Sequence, residues 1–275
     1  MRRLILVATA LVLPASLAAQ APPASPTRPG PDGVMLAFAR FADVFGSRLV
    51  AAFDAIPADR YDYRPTPPQQ TVGYIAQHLE DANYSLCERL GDPDTLQRPA
   101  TAKDSLTDSV KARWPKDTLV ARLRASLRFC DVALDAVPRL GSAAHANTLL
   151  AFETDLAEHY SQIAVYMRLL GMVPPSALPP TPRTAVELPA SELSRYVGVY
   201  QLARGLEVEV TMRDGALFGQ SNAGGVPARL WPEGGTTFFL EEVDAQITFT
   251  RDPAGAVTGL VLHQYGRDRP GRKIR

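Results

Sequence analysis

The chain has 275 residues, of which 46% are hydrophobic and 21% charged, so it can form one large domain or two smaller ones with ordinary cores. This composition excludes a disordered protein. The formal net charge is zero and no run of lysine and arginine stands out, which argues against a nucleic-acid binder because such proteins need a basic surface.

Residues 1–21 are predicted to be a secretory signal peptide. The stretch MRRLILVATALVLPASLAAQA combines two arginines, a short apolar run and small residues around a cut between Ala18 and Ala21. No second apolar run is long enough to cross a bilayer. We therefore expect an exported protein, periplasmic or extracellular, with no membrane span after signal cleavage. A signal anchor that is never cleaved is the alternative.

Residues 22–32 read as a Pro-rich tether, and helical periodicity begins after it. Over residues 33–56, apolar side chains recur every three or four positions, which predicts an amphipathic first helix. The loop YDYRPTPPQQ follows. Thr71 is then expected to cap a second helix that ends at Gly91.

Two more long helices are predicted after a polar connection at residues 92–114. The third helix covers residues 116–137, and the fourth covers residues 144–170, where Gly171 and a Pro-Pro pair end it. Four long amphipathic helices predict a four-helix bundle over residues 33–176.

The hydrophobic pattern changes after a second Pro-rich segment, residues 177–190, which we predict to be a linker. Over residues 191–275 the period becomes two, with tight turns at Asp214-Gly215 and at residues 252–255. About eight short strands in meander order predict a small antiparallel β-barrel. The expected fold class is therefore α+β multidomain, with an N-terminal four-helix bundle and a C-terminal barrel. The expected barrel core comprises Tyr196, Tyr200, Leu217, Phe238, Phe239, Ile247, Phe249 and Leu260.

The chain has two cysteines, Cys87 and Cys130, both inside predicted helices. Export places them in an oxidising compartment, where a pair of thiols tends to close. We expect a disulfide between two helices. Two buried, unpaired thiols are the alternative, because a sequence does not give the distance between them.

Three residues are candidate metal ligands. Asp155 and His159 are four apart on the fourth helix and so share one face, while His78 lies inside the second helix. Two imidazoles and one carboxylate form an open site suited to zinc, nickel or iron. From the residues alone, an ordinary surface pair of Asp155 and His159 remains the alternative.

Two segments together resemble the DinB-like (DinB/YfiT-type) superfamily of four-helix metal-binding proteins: RYDYRPTPPQQTVGYIAQHLEDANYSLC at residues 60–87 and EHYSQIAVYMRLLGMVPPS at residues 158–176. In that family an Arg-Pro loop precedes a helix with one histidine ligand. The fourth helix carries two further ligands four residues apart, then a Tyr-x-Arg and a Gly-x-x-Pro-Pro end.

The resemblance implies that His78, Asp155 and His159 hold a divalent transition metal. The family most often has histidine at the position of Asp155, so the chain either coordinates through a carboxylate there or has lost the site. Tyr166 and Arg168 are expected to serve in packing and at the helix end.

The second domain, from ELSRYVGVYQL to GLVLHQYGRDRPGRKI, resembles a small β-barrel module of unknown function found after exported serine β-lactamase-like hydrolases. The chain has no Gly-x-Ser-x-Gly, Ser-x-x-Lys, Walker or His-Glu-x-x-His motif, so serine hydrolysis and phosphate transfer lack support.

Two functions follow from these resemblances. The first is a metal-dependent hydrolase, or a thiol transferase, acting on a small-molecule substrate of unknown identity. Hydrolysis is favoured because low-molecular-weight thiols are scarce outside the cytosol. The second is a non-catalytic binding or scaffold protein with a degenerate metal site and a barrel that binds a ligand or partner. DinB-like bundles often pair, which implies a homodimer.

Overall fold

A computed structural model describes residues 33–91, 96–100, 105–137, 140–202 and 206–275. The predicted signal peptide, residues 1–21, and the tether, residues 22–32, lie outside this part of the chain. Helices occupy the N-terminal part and a closed eight-stranded antiparallel barrel the C-terminal part. The predicted α+β fold class is therefore confirmed.

In the described residues of the N-terminal part there are five α-helices: α1 (Gly33–Ala55), α2 (Val72–Cys87), the short α3 (Asp108–Lys111), α4 (Lys116–Ala136) and α5 (Ala143–Leu169). Helices α1 and α2 each pack against both α4 and α5. The four long helices therefore surround one core, in the order α1, α4, α2, α5. Large apolar side chains such as Phe53, Leu79 and Phe152 are fully buried in it, and each contributes about 1.5–3 kcal/mol by leaving water.

Local hydrogen bonds explain where the two ligand-bearing helices begin. The Thr71 hydroxyl accepts from the Tyr74 amide at the start of α2, and the Ser142 hydroxyl accepts from the His145 amide at the start of α5. Helix α5 ends before Gly171, whose φ of 75° suits glycine. Helix α2 ends four residues before the predicted Gly91, because the chain tightens into a turn after Cys87.

A disulfide joins Cys87 on α2 to Cys130 on α4, with 5.1 Å between their Cα atoms. Both residues are buried in the bundle core. The predicted helix-to-helix disulfide is therefore present, and it ties together two helices that already pack against each other.

The barrel follows a short helix, α6 (Ala190–Leu193), and each strand pairs antiparallel with the next, while β1 also pairs with β8. This is the predicted meander. Tyr196, Tyr200, Phe238 and Phe249 form an aromatic cluster at its centre. The strands are β1 (Gly198–Gln201), β2 (Glu207–Arg213), β3 (Ala216–Ser221), β4 (Ala228–Gly234), β5 (Thr237–Leu240), β6 (Ala245–Arg251), β7 (Val257–Gln264) and β8 (Arg267–Lys273).

The expected barrel residues are all buried, but Phe239 does not belong to the central cluster. It follows Phe238 in β5, and successive side chains of a strand point to opposite faces. Within the predicted linker, the Val186 amide donates to the Pro232 carbonyl and Leu188 packs against the barrel core. These contacts bring part of the Pro-rich segment onto the barrel surface.

Ion pairs connect the barrel to the bundle. Arg267 and Arg269 of β8 both bind the carboxylate of Asp43 on α1, and Arg267 also reaches Asp131 on α4 at 2.6 Å. The Asp43 side chain is only 4% exposed, and these two arginines compensate its buried charge. No helix in the described ranges is long and apolar enough to span a membrane.

Candidate metal centre

The packing of α2 against α5 brings the three candidate ligands together. His78 Nε2 lies 3.4 Å from Asp155 Oδ1, and His159 Nε2 lies 3.5 Å from the same oxygen. One nitrogen or oxygen from each residue lies within 4.8 Å of the others. This group could hold a metal ion. The spacing of Asp155 and His159 and the position of His78 in the sequence predict the same group.

The group is partly exposed to solvent. The side chain of His159 is 10% exposed, that of Asp155 21% and that of His78 35%. The two imidazole rings meet edge to face, with centroids 4.9 Å apart, and Tyr74 stacks in parallel on His78. His78 is therefore the most accessible of the three side chains.

A chain of hydrogen bonds determines the tautomer of His159. The Gln70 backbone carbonyl accepts from the Tyr166 hydroxyl, which therefore accepts from the side-chain amide nitrogen of Gln162. Gln162 Oε1 then remains as an acceptor, 3.0 Å from His159 Nδ1. Nδ1 consequently carries the proton, and Nε2 presents its lone pair toward Asp155 in the neutral ring.

This arrangement places two electron-rich atoms face to face, because neutral His159 Nε2 and Asp155 Oδ1 are both acceptors. A proton or a cation between them relieves the repulsion. Burial by itself raises the pKa of Asp155, but hydrogen bonds and charge from His159 and His78 outweigh it and lower the pKa to about 2. Burial lowers the pKa of His159, but the hydrogen bonds to Asp155 and Gln162 outweigh it and raise the pKa.

The residues present are of the types that hold a metal ion. Two imidazole nitrogens and a carboxylate leave positions open for water or a substrate. The Asp155 Oδ2 atom is buried and has no hydrogen-bond partner among the described residues, so its acceptor capacity is unused. The Gln162 contact orients His159 as the hydrogen-bonded neighbours of metal-binding histidines do.

Gln162 and the hydroxyl of Tyr166 are neighbours of the candidate centre that sequence analysis missed. Gln162 lies three residues after His159, and Tyr166 four residues after Gln162, so all three share one face of α5. That spacing was visible in the sequence. The role of the Gln70 carbonyl, which orients this chain of hydrogen bonds, was not visible in the sequence. Gln70 lies in the loop before α2, far from α5 in sequence.

The other two histidines contact different residues. His263 on β7 bonds Asp268 at 2.6 Å through Nδ1 and Thr248 at 3.1 Å through Nε2. His145 lies in the first turn of α5, where its amide donates to the Ser142 cap. His78 and His159 are therefore the two histidines that meet at the candidate centre.

The comparison with known proteins identifies a related family for the barrel part only. Residues 182–272 match the family model described as a domain of unknown function, DUF3471. The match begins inside the predicted linker, where Val186 and Leu188 contact the barrel. The resemblance of the C-terminal part to a barrel module of unknown function is thus supported. The bundle lies outside the match, so its DinB-like resemblance stays a prediction.

The remaining comparisons add no function. A search of curated proteins finds no match. Among solved structures, a chain from a crystal structure of SurE with D-Leu is 23% identical, with a TM-score of 0.30, over 44% of this chain. The matched part spans 28% of the length of the SurE chain. At this TM-score the likeness carries no argument about fold or function.

Proposed function

We propose that the chain is an exported DinB-like protein that binds a divalent metal through His78, Asp155 and His159 and hydrolyses an ester or amide substrate. The observation that supports this proposal is the convergence of the three side chains, together with the hydrogen bond that turns the Nε2 lone pair of His159 toward Asp155. The disulfide between Cys87 and Cys130 is compatible with export, because such bonds persist in oxidising compartments.

A divalent metal in this group supplies Lewis acidity and makes a water molecule more acidic. The residues around the three ligands orient the two histidines. Gln162 keeps the Nδ1 proton of His159 in place, so Nε2 stays available as a donor atom. Tyr74 packs parallel to the His78 ring and restricts its orientation. The exposed side of His78 leaves a route for substrate and water.

The decisive experiment is metal uptake by chelator-treated mature protein, measured by elemental analysis and by titration calorimetry with zinc and nickel. We expect one ion per chain in the wild type and none in His159→Ala. His263→Ala is the matched control, because it removes a histidine on the barrel and should leave uptake unchanged. Ester and amide substrates are then screened for hydrolysis that chelator abolishes and metal restores. A wild type that takes up no ion contradicts the proposal.

The affinity for metal should fall as pH falls. The pKa of His159 lies above its ordinary value of 6.5, and a protonated Nε2 cannot donate to a metal. Below that pKa we expect about a tenfold loss of affinity per pH unit, because one proton must leave as each ion binds. Calorimetric titration between pH 5 and 8.5, in buffers of different ionisation enthalpy, measures both the affinity and the released proton. An affinity independent of pH would exclude His159 as a ligand.

A second candidate is a non-catalytic binding protein, and one observation favours it. Asp155 Oδ1 lies within 3.5 Å of a nitrogen of each histidine. Protonated histidines can therefore donate hydrogen bonds to Asp155, and the group then needs no metal. The variant Asp155→His separates the two candidates. If the wild type stays empty while Asp155→His binds zinc or nickel, the site is degenerate and the binding function is favoured. Pairing of bundles into a homodimer stays a proposal that sedimentation measurements can test.

A further inference from the structure

A groove of about 450 Å³ lies between the bundle and the barrel. It is bounded by one face of α1, one face of α4 and the turn between β7 and β8. We call it the interdomain groove and define it by Arg48, Arg124, Arg128, Pro175, Tyr265 and Arg267. Its volume falls in the range of small-molecule sites, which often lie between domains.

Positive charge dominates the interdomain groove. Among the described residues, four arginines from α1, α4 and the start of β8 line it, whereas Asp54 is the one carboxylate. Two of the four are neutralised: Arg124 pairs with Asp54, and Arg267 pairs with Asp43 and Asp131. The remaining two, Arg48 and Arg128, have no carboxylate within 4.0 Å in the described part of the chain.

The surroundings of Arg48 and Arg128 suit an anion attached to an organic group. Arg48 lies over the face of the Tyr160 ring, 5.7 Å from its centroid, and this contact limits its freedom. Val50, Leu127 and Pro175 provide apolar lining beside the charges. The groove thus combines two guanidinium groups without carboxylate partners with a surface that can bury a nonpolar body.

The turn that closes the groove has an unusual backbone. Tyr265 and Gly266 both have positive φ, 55° and 69°, as required in a two-residue turn between antiparallel strands. Glycine, asparagine and aspartate are preferred at the first of these positions, and a bulky aromatic residue is uncommon there. The strained backbone of Tyr265 thus places an aromatic residue among those that line the groove. Arg267, two residues further on, is held in place by its ion pairs to the bundle.

We propose that the interdomain groove binds a small phosphomonoester, with the phosphate between Arg48 and Arg128 and the organic group against Tyr265, Leu127 and Pro175. A phosphomonoester carries close to two negative charges at neutral pH, which matches the two arginines that lack carboxylate partners. The planar fork of arginine binds phosphate oxygens in pairs. This site is separate from the candidate metal centre, and its occupancy does not depend on the proposed hydrolase function.

The test uses phenyl phosphate as the probe and chelator-treated full-length mature protein, so that metal does not contribute. Titration calorimetry should show one site. We expect Arg48→Gln and Arg128→Gln each to weaken binding at least about tenfold, and the double variant to show none, because each loses a charge-assisted contact. Arg40→Gln, which removes an exposed charge from α1 outside the groove, should bind phenyl phosphate like the wild type.

Further variants separate a groove effect from misfolding or from binding at the metal centre. Arg128→Lys keeps the charge and should recover part of the affinity that Arg128→Gln loses. His159→Ala should bind phenyl phosphate as tightly as the wild type. Absence of binding, equal binding by the double variant, loss of binding in His159→Ala, or equal affinity for succinate would each overturn the assignment.

Discussion

At the scale of single residues, the centre depends on orientation as much as on proximity. Asp155 and His159 share a face because they are four apart in α5, but the direction of the His159 lone pair depends on Gln162 and Tyr166. Without that hydrogen-bond chain, either nitrogen of the ring could carry the proton. These hydrogen bonds therefore stabilise the tautomer with the proton on Nδ1, which leaves Nε2 available to a metal.

Gln162→Leu should weaken metal binding without unfolding the bundle. It removes the acceptor for His159 Nδ1, and loss of such a supporting contact typically costs about 10–100-fold in metal affinity. Gln162→Glu keeps an acceptor oxygen at the same place and should retain most of the affinity. Calorimetry with zinc, combined with circular dichroism, measures both properties. Equal affinity in wild type and Gln162→Leu would show that the hydrogen-bond chain has no role in binding.

Glu153, also on α5, should make the stability of the fold depend on pH. Burial and the charge of Asp43 raise its pKa from 4.5 to about 8, and the nearby Ala42 amide lowers it by less. Between these two values the folded state binds the proton that the unfolded state has lost, so the free energy of unfolding falls as pH rises. The loss is on the order of 4 kcal/mol between pH 4.5 and 8 and levels off above that range.

Glu153→Gln should remove this dependence because glutamine does not titrate. The variant should match the wild type near pH 4.5 and become progressively more stable than the wild type toward pH 8, by up to about 4 kcal/mol. Urea unfolding of metal-free protein at several pH values measures the difference. A constant difference across this range would contradict the raised pKa of Glu153.

At the scale of secondary-structure elements, the disulfide supports the helix pair that includes His78. Cys87 ends α2 and Cys130 lies in α4, so the bond constrains the segment that connects them in the unfolded chain. The two cysteines are 43 residues apart in sequence. The chain-entropy relation gives about 4 kcal/mol for a loop of this size.

Reduction of the disulfide should therefore destabilise the bundle by about 2–4 kcal/mol, with a smaller effect on the barrel, which contains neither cysteine. The two tryptophans allow a direct measurement, because Trp114 lies in the bundle part and Trp231 in β4. Urea unfolding is followed in Trp231→Phe, which reports the bundle, and in Trp114→Phe, which reports the barrel, each with and without reductant. A bundle transition that reductant does not shift would show that the bond adds no stability. Combining Trp231→Phe with Cys87→Ser and Cys130→Ser provides the control, since reductant has no bond to break there.

At the scale of the whole molecule, a buried carboxylate couples the two structural parts. Asp43 is a buried residue of α1, while its partners Arg267 and Arg269 lie on β8. An uncompensated buried carboxylate is costly, so in the docked arrangement the two arginines offset the burial of Asp43.

Asp43→Asn should weaken this docking. Arg267 keeps Asp131, but Arg269 loses the carboxylate that it binds, and we expect the contact between the two parts to lose about 1–3 kcal/mol. The unfolding transitions seen by Trp114 and Trp231 should then separate along the urea axis, while proteolysis of residues 177–190 becomes faster. Asp244→Asn, which changes an exposed partner of Arg183, is the matched control. Coincident transitions in Asp43→Asn would exclude a coupling role for this carboxylate.

The sequence was sufficient to predict the main elements and the fold class. Helix periodicity, the Thr71 cap and the period-two strands depend on residues a few positions apart, and the observed ends of α1, α4 and α5 lie within one residue of the predicted ones. It also placed Asp155 and His159 on one face, because four residues nearly complete a helical turn.

Interactions between segments that are distant in sequence could not be predicted in this way, because they depend on how the elements pack. The approach of His78 to Asp155 follows from packing α2 against α5, and the tautomer of His159 follows from a carbonyl in another loop. The raised pKa of Glu153 likewise follows from burial near another helix. Periodicity and caps report contacts within a few residues, whereas the distances, burial and electric fields that govern the centre and the interdomain groove arise between segments far apart in the chain.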